Sequence, residues 1–530
     1  VTENGYNIVQ CTGVPTLSLV LRVNDVINVK QWGGVGNSDN ISDLLLQAFT
    51  LGSGYNYIFN AGNYKYSKEL LFPTYSKIQL HPTASLIKDE SWINQNGLIL
   101  DSFCEIFGGN IDGNFRNFTN QGSNNYLFGN LLNIKDNCYV HDINVFDSES
   151  SNIGSTGFDS SNAAKIKNVV LGEYQDHAVY FTGDCTNIDV QVKSVTTTQG
   201  NEVFKVRGNI DNVVYHDCGR IDSTATNGAL LNTSVDTVFG VTPTAGGVVI
   251  LRNMIDVSTP QLVNSGVGTG ENQELALKEI LMDNVNFLNV NPSLASYKMP
   301  IAQGGAAYLG VKKIKLKGCN FKNTIPQNID INYSTALQFE FNAKDCKFDN
   351  SEALTANATY RTTQALGVNY NYINNTESLN FSHFRRMENT NQINMQGGTV
   401  RGPNQICAYH GPNVDSRYLD VQSFGARSLL STVSLGTDVI GTLEINGCTV
   451  NGSVAYGFID GADTNINHLA FNPNNNIFKF TGSTQRERGT TSQRPPLALN
   501  MNGFKYFDTT LGKPIYFVRP NWVDATGTTV

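Results

Sequence analysis

One short pattern recurs along this chain, and it limits what the chain can fold into more than any other feature. Alternating apolar residues run into a small or polar corner, and a second short alternating run then ends in Asn, Asp or Gly. Copies stand at 314–323 (IKLKGCNFKN), 339–350 (FEFNAKDCKFDN), 443–452 (LEINGCTVNG) and 280–289 (ILMDNVNFLN), with looser ones at 104–113 (CEIFGGNIDG) and 393–402 (INMQGGTVRG). Period-2 apolar spacing is the mark of strands with one buried face. Ile166, Ile188 and Ile210 open three similar segments, and 188 − 166 = 22, as does 210 − 188. A repeat of roughly 20–25 residues built from such strands is one coil of a solenoid. No coil can bury its inward face alone, but stacking coils about 4.8 Å apart makes a continuous core. The Leu-rich repeat signature and helical patterning are both missing. The expected fold is therefore all-β: a single-stranded, right-handed parallel β-helix, since parallel crossovers take that hand.

Composition agrees. A chain of 530 residues exceeds one ordinary globular core, so several domains or a repeat array are required. Only 15% of residues are charged, there are 49 glycines, and Asn-rich stretches recur (ENTNQINMQGG, FNPNNNIFKF). Asn and Gly enter left-handed corners, and stacked Asn side chains ladder between coils. A net charge of -8 argues against nucleic acid as a partner, because binding phosphates needs a basic face. No apolar run reaches the length of a membrane span, and the opening VTENGYNIVQ lacks a signal-peptide layout. The nine cysteines are singletons without metal-ligand spacing, so they are read as reduced, buried thiols with no metal or other cofactor.

Four regions are expected: an N-terminal arm at 1–25, a cap with the first coils at 26–97, a β-helix with loop insertions at 98–482, and a C-terminal module at 483–530. Segments 241–270 and 360–388 read as insertions. The second carries Tyr370, Tyr372, Phe381, Phe384, His383, Arg385 and Arg386, where loop packing outweighs a sugar platform. The stretch 26–49 (VINVKQWGGVGNSDNISDLLLQAF) resembles the opening of pectate-lyase-like β-helices. That resemblance implies a first strand, a Gly-rich turn and a short amphipathic helix capped by Ser42 or Asn40. Leu45, Leu46 and Phe49 would then cover the solenoid end. The C-terminal string Gln493-Arg494-Pro495, then YFDTTLGKPI at 506–515 and WVDATG at 522–527, is similar to a terminal module of phage tail proteins, including those of phages infecting gut Bacteroidales. It reads as a hairpin turning at Leu511-Gly512-Lys513, with a Trp packing back. Together the resemblances imply a homotrimeric bacteriophage tailspike or tail fibre in the virion tail. Its partners would be a bacterial surface polysaccharide and other tail proteins.

The catalytic motifs of secreted pectinases are absent, so any site must be found from chemistry. Glycoside hydrolysis needs two carboxyls, close together for retention and further apart for inversion. The regular central coils supply a cluster: Glu173, Tyr174, Asp176, His177 and Tyr180 on one coil, Glu202, Lys205 and Arg207 on the next, and Asp159 on the preceding one. The alignment sets Val179-Tyr180 beside Val203-Phe204. Glu202 and Asp176 are the first candidates for catalysis, with Asp159, Glu173 and His177 behind them. Tyr174, Tyr180, Lys205, Arg207 and Tyr215 are candidates for sugar contact. Polar solenoid corners also carry acids purely for turn hydrogen bonds, which is the favoured role for Asp112. His141, His216 and His410 read as structural. A depolymerising hydrolase, a polysaccharide lyase that uses Lys205 and Arg207 to neutralise a uronate, and a non-catalytic receptor-binding fibre all fit the sequence.

Overall fold

A computed structural model describes residues 8–10, 18–20, 25–92, 96–117, 129–155, 161–225, 228–235, 246–267, 277–289, 301–302, 311–322, 336–350, 366–379, 386–387, 392–401, 405–410, 415–424, 428–431, 443–446, 449–452, 459–460, 477–480, 488–494, 505–518 and 521–530. The chain divides into two compact units, residues 1–294 with 298–320, and residues 295–297 with 321–530.

The first unit is a parallel β-helix. Its opening coil runs through the strand Val26–Asn28, a turn and the strand Asn37–Asn40 into the helix Ser42–Phe49. Asn40 Oδ1 accepts the Ser42 N–H at 3.0 Å, which occupies one of the free donors at the helix start. Leu44, Leu45 and Ala48 are buried, and Phe49 packs on the rings of Tyr57 and Phe72 in the next coil. Leu46 instead points outward, 37% exposed, because the covering stripe of this short helix is only one residue pair wide.

Each later coil contributes strands to three sheets. The first and second are joined at a tight corner, and the third follows a longer connection. One coil holds Lys165–Leu171, bent at Asn168, and Val179–Thr186; the next holds Asp189–Thr197 and Phe204–Asp211. Val213–His216, Arg220–Ser223 and Ala229–Val235 follow. Ile166 pairs with Val190 and Cys185 with Ile210, so the true steps here are 190 − 166 = 24 and 210 − 185 = 25 residues. The even spacing of Ile166, Ile188 and Ile210 does not mark stacked positions. Ile166 lies on the first sheet and Ile210 on the third, with Ile188 between strands. The segment 241–270 is likewise not a loop insertion where described: Val248–Thr259 and Gln261–Val267 form a regular coil. Its first-sheet alternation is masked in the sequence by Asn253, which turns the corner with φ 52°.

That corner is a ladder. Asp142, Asn168, Asp217, Asn253 and Asn284 all take positive φ there, a conformation Asn and Asp tolerate better than other non-Gly residues. Asn253 Nδ2 donates to Asp217 Oδ1 at 2.9 Å, Asn284 Nδ2 donates to Asn253 Oδ1 at 3.1 Å, and Asn168 donates to Asp142. Asn253→Ala removes both bonds of its rung and leaves in the left-handed corner a β-carbon without the amide that offsets its cost. We expect it to cost about 2 kcal/mol, and Asn253→Gly about half that, read as shifts in the urea midpoint.

The interior is filled by Val, Ile, Leu and Phe, with Tyr57, Tyr64, Tyr66, Tyr174 and Tyr215 fully enclosed. Cys104, Cys138, Cys185 and Cys218 are free and buried. Burial pushes the Cys138 thiol up to about 11 and that of Cys218 to about 12, so they pack as apolar groups. One ion pair is also enclosed: Lys88, 2% exposed, contacts Glu149, whose side chain is 7% exposed. Burial pulls the Lys88 ammonium below its usual range, against the charge of Glu149.

The second unit contains the same kind of coil. Ala336–Lys344 and Lys347–Asn350 stack on Leu366–Ile373 and Thr376–Leu379, and these on Gln392–Gln396 and Thr399–Arg401. Asn374 Nδ2 donates to Asp345 Oδ1 at 2.7 Å, and buried Asn375 bridges Ala343 O and Cys346 N. The expected insertion 360–388 thus holds regular strands, and Tyr372 is core rather than loop. Phe381, His383, Phe384 and Arg385 lie outside the described residues. The unit also includes a small mixed sheet of Arg488–Gly489, Lys505–Asp508, Lys513–Val518 and Asn521–Asp524, closed around Tyr506, Ile515, Phe517 and Trp522. The string YFDTTLGKPI is a hairpin in which Asp508 pairs with Lys513. Asp508 is fully buried and accepts from the N–H groups of Thr510 and Leu511, Thr491 Oγ1 and Arg494 Nε. This is why Arg494 and Asp508 occur together in the motif. Asp508→Ala is expected to raise amide exchange throughout these strands while the coils of the first unit keep their protection.

Candidate functional site

Val179, Phe181, Phe204 and Val206 point into the core, so alternation throws their neighbours onto the outer face of the third sheet. Tyr180, Lys205, Asn232 and Asn264 form one row across four coils, and Thr182, Arg207 and Ser234 form the next. Tyr180 therefore pairs with Lys205 rather than Phe204, one residue from the sequence alignment. That slip sets Asp176 beside Asn201, which donates to Asp176 Oδ1 at 2.9 Å, and it brings His177 to Glu202.

His177 is 1% exposed and held between two carboxylates, with Nε2 3.1 Å from Asp176 Oδ2 and Nδ1 3.1 Å from Glu202 Oε2. The oxygens sit off the ring N–H axes, which makes these contacts ion pairs more than aligned hydrogen bonds. Asn232 Nδ2 donates to Glu202 Oε1 at 2.7 Å. The Tyr180 ring meets the imidazole edge to face at 4.9 Å and carries Lys205 Nζ 5.2 Å from its centre. Arg207 bonds to the Tyr180 hydroxyl; burial pushes that hydroxyl up to about 12 against the pull of Arg207.

The electrostatics follow from these contacts. Burial works to raise the Glu202 carboxyl, but His177, Lys205 and Asn232 outweigh it and hold it at about 2. The Asp176 carboxyl lies below its usual range: burial works to raise it, but His177 and Asn201 overcome that. Burial disfavours the His177 imidazolium, yet Asp176 and Glu202 raise its pKa above the ordinary value. Both carboxylates are ionised at neutral pH, and the imidazole between them holds its proton more tightly than a free one.

A stability profile follows from these directions. His177 contributes stability fully present below its unfolded value of 6.5 and lost as pH rises through its higher folded value. Glu202 contributes stability present above 4.5 and lost as pH falls toward about 2, and Asp176 behaves alike below 3.8. Urea midpoints of the wild type should therefore form a plateau between pH 4.5 and 6.5. In His177→Gln the decline on the alkaline side should flatten.

The other candidates are dispersed. Glu173 is tied to a turn, accepting from Thr197 Oγ1 at 3.0 Å and from the Thr198 N–H and hydroxyl. Tyr174 and Tyr215 are wholly interior, with Tyr215 stacked on Phe204, and cannot meet a sugar from outside. Aromatic residues in a solenoid read alike from sequence whether they face in or out, because a one-residue register error exchanges the faces. Asp159 lies outside the described residues, and the preceding coil brings Ser150, Ser151 and Asn152 to the level of Asp176, His177 and Ala178. Asp112 accepts the Asn114 N–H at 2.8 Å and a two-pronged contact from Arg116, a turn role.

Two histidines of the first sheet, read from the sequence as structural, are each held by two carboxylates. His141 lies between Glu105 (2.9 Å) and Asp142 (2.7 Å), and His216 between Asp189 (2.6 Å) and Asp217 (2.7 Å). The signal was there as a repeated His-Asp dipeptide, whose Asp takes the ladder corner.

These features define a single-chain parallel β-helix with charged and aromatic side chains arrayed on its outer faces. No protein-family model matches the chain, and no curated protein matches it in sequence. Among solved structures it is similar to the catalytic domain of a GH87 alpha-1,3-glucanase (12% identity, 83% of this chain and 67% of that chain, TM-score 0.33). It is also similar to tailspike protein gp49 of Acinetobacter baumannii bacteriophage Fri1, a capsular polysaccharide depolymerase (11%, 91% and 68%, 0.31). A third likeness is to PfbA, a surface adhesin of Streptococcus pneumoniae (12%, 95% and 99%, 0.31). The likenesses concern the fold alone.

Proposed function

We propose that the chain is a phage tailspike or tail fibre that binds a bacterial surface polysaccharide, capsule or O-antigen, and cleaves it by glycosidic hydrolysis on the outer face of the third sheet. The carrying observation is the convergence of Asp176, His177 and Glu202 beside the open row of Tyr180 and Lys205. In this reading Tyr180 offers a ring to a sugar, Lys205 and Arg207 bind hydroxyls or a carboxylate, and a carboxylate stabilises the positive charge that develops on the cleaved sugar. Asp176 and Glu202 are the paired carboxylates of that hydrolysis, and His177, buried with one of them against each ring nitrogen, sets their charge and position. Location in the virion tail and assembly with other tail proteins rest on the likeness of the C-terminal string. A homotrimer would be in keeping with long polar solenoid faces.

One observation favours a second reading, a receptor-binding fibre without catalysis. Asp176 and Glu202 are both ionised and both satisfied by His177, an arrangement that also suits a purely structural clamp. A lyase is the third reading, with Lys205 and Arg207 neutralising a uronate. Incubating the protein with a panel of purified capsular and O-antigen polysaccharides separates the three. New reducing ends alone mean hydrolysis, reducing ends with the ultraviolet absorbance of an unsaturated uronate mean elimination, and binding with neither means an adhesin.

A further inference from the structure

The first sheet carries a second feature that the Glu202 site does not use. A groove of about 600 Å³ opens on its outer face, lined among others by Tyr139, Lys165, Lys167, Asp189, Gln191 and His216. Its floor is set by register. His141, Lys167 and Gln191 stand in one row on successive coils, with His216 one coil further, while Tyr139, Lys165 and Asp189 form the adjacent row. Each step is about 4.8 Å, close to the rise of one sugar ring along a glycan.

We infer that this groove is a separate binding site for acidic sugars, in which Lys165 and Lys167 take the sugar carboxylate and Tyr139, backed by His141, supplies the stacking surface. Three observations carry it. First, other lysines of this sheet are neutralised by the coil beside them: Lys77 by Glu105 at 3.0 Å and Lys315 by Glu279 at 2.7 Å. Among the described residues no carboxylate lies within 4 Å of the ammonium of Lys165 or Lys167, and both side chains are exposed. Asp189, the acid next to Lys165 in its row, is held by His216. Two adjacent cations thus carry no ion pair among the described residues, with Asp142 acting on Lys167 only through its field, and such cations suit a ligand carboxylate.

Second, the aromatic surface is built in advance. His141 stacks on Phe107 at 5.0 Å with 6° between planes and on Tyr139 at 4.2 Å with 25°. Glu105 and Asp142 fix both nitrogens of that imidazole, so its plane is set before a ligand arrives. Third, the far end has the same construction, with His216 fixed by Asp189 and Asp217. The groove therefore runs from Tyr139 past the two lysines to the clamped His216.

The test compares short oligosaccharides of galacturonic and glucuronic acid with the same oligosaccharides after reduction of their carboxyls to alcohols. Binding to the full chain is followed by calorimetry and by the ring-proton resonances of His216. The acidic forms should bind and shift His216, and the carboxyl-reduced forms should not. Lys165→Ala/Lys167→Ala, two exposed substitutions checked for fold by circular dichroism, should weaken binding by about tenfold, and added salt should do the same. A Glu202→Gln/Lys205→Ala variant should bind these ligands as the wild type does, which separates this groove from the proposed cleavage site. The inference is overturned if no acidic oligosaccharide binds, if reduced and acidic forms bind equally, or if the double lysine variant binds unchanged. Loss of binding in the Glu202→Gln/Lys205→Ala variant alone would assign the ligand to the third sheet instead.

Discussion

Glu202→Gln is expected to lower glycan cleavage by about 10²–10⁴-fold, the usual weight of one group in acid–base or charge-stabilising work. The substitution keeps the shape and keeps a partner for Asn232, which donates to Glu202 Oε1 at 2.7 Å. It removes one of the two carboxylate charges that raise the His177 pKa. The imidazole pKa should fall, and the alkaline limb of the pH–rate profile should move to lower pH along with the loss of rate. Asp176→Asn should act in the same direction, more weakly on rate because Asp176 also serves Asn201. Full activity in both variants would remove this cluster from catalysis and leave the adhesin reading.

The second large effect concerns stability. Glu149→Ala should destabilise the first unit by about 3–5 kcal/mol, since it takes the Glu149 carboxylate away from the Lys88 ammonium in the core, 2% exposed. The double variant Lys88→Met/Glu149→Leu should recover most of that loss, because two apolar side chains of similar volume need no compensating charge. Urea midpoints of Lys88→Met, Glu149→Leu and the double close the cycle. If Glu149→Ala costs under about 1 kcal/mol, water reaches the pair and the burial argument fails.

The fold was legible because its determinants are local and repeated. Alternation, the Asn or Asp corner and the buried Cys after it (Cys319, Cys346) can each be read within a dozen residues. Register was not legible, since it depends on how many residues each corner consumes. The alignment of Val179 with Val203 rather than Phe204 is one residue out, enough to exchange faces along a whole strand. The same limit explains Tyr174 and Tyr215, apt for stacking by type yet interior by position. Asp176, His177 and Glu202 were found because each is a polar residue just before a strand. His141 and His216 were legible as structural, but the second carboxylate of each clamp was not, because it comes from the preceding coil, 36 and 27 residues away.

The stacking of unequal coils has a further consequence. Leu98 pairs with Leu132 and Leu132 with Ile153, steps of 132 − 98 = 34 and 153 − 132 = 21 residues for the same axial advance. The solenoid is thus a ruler whose graduations are fixed by backbone hydrogen bonds while the material between them is free to lengthen or shrink. A corner can gain a dozen residues without displacing any group on the outer rows. A row of ligand contacts grows only by whole graduations, one coil and about 4.8 Å at a time. Such a scaffold can exchange one receptor for another by rewriting its corners, keeping the pitch at which it reads a repeating polymer.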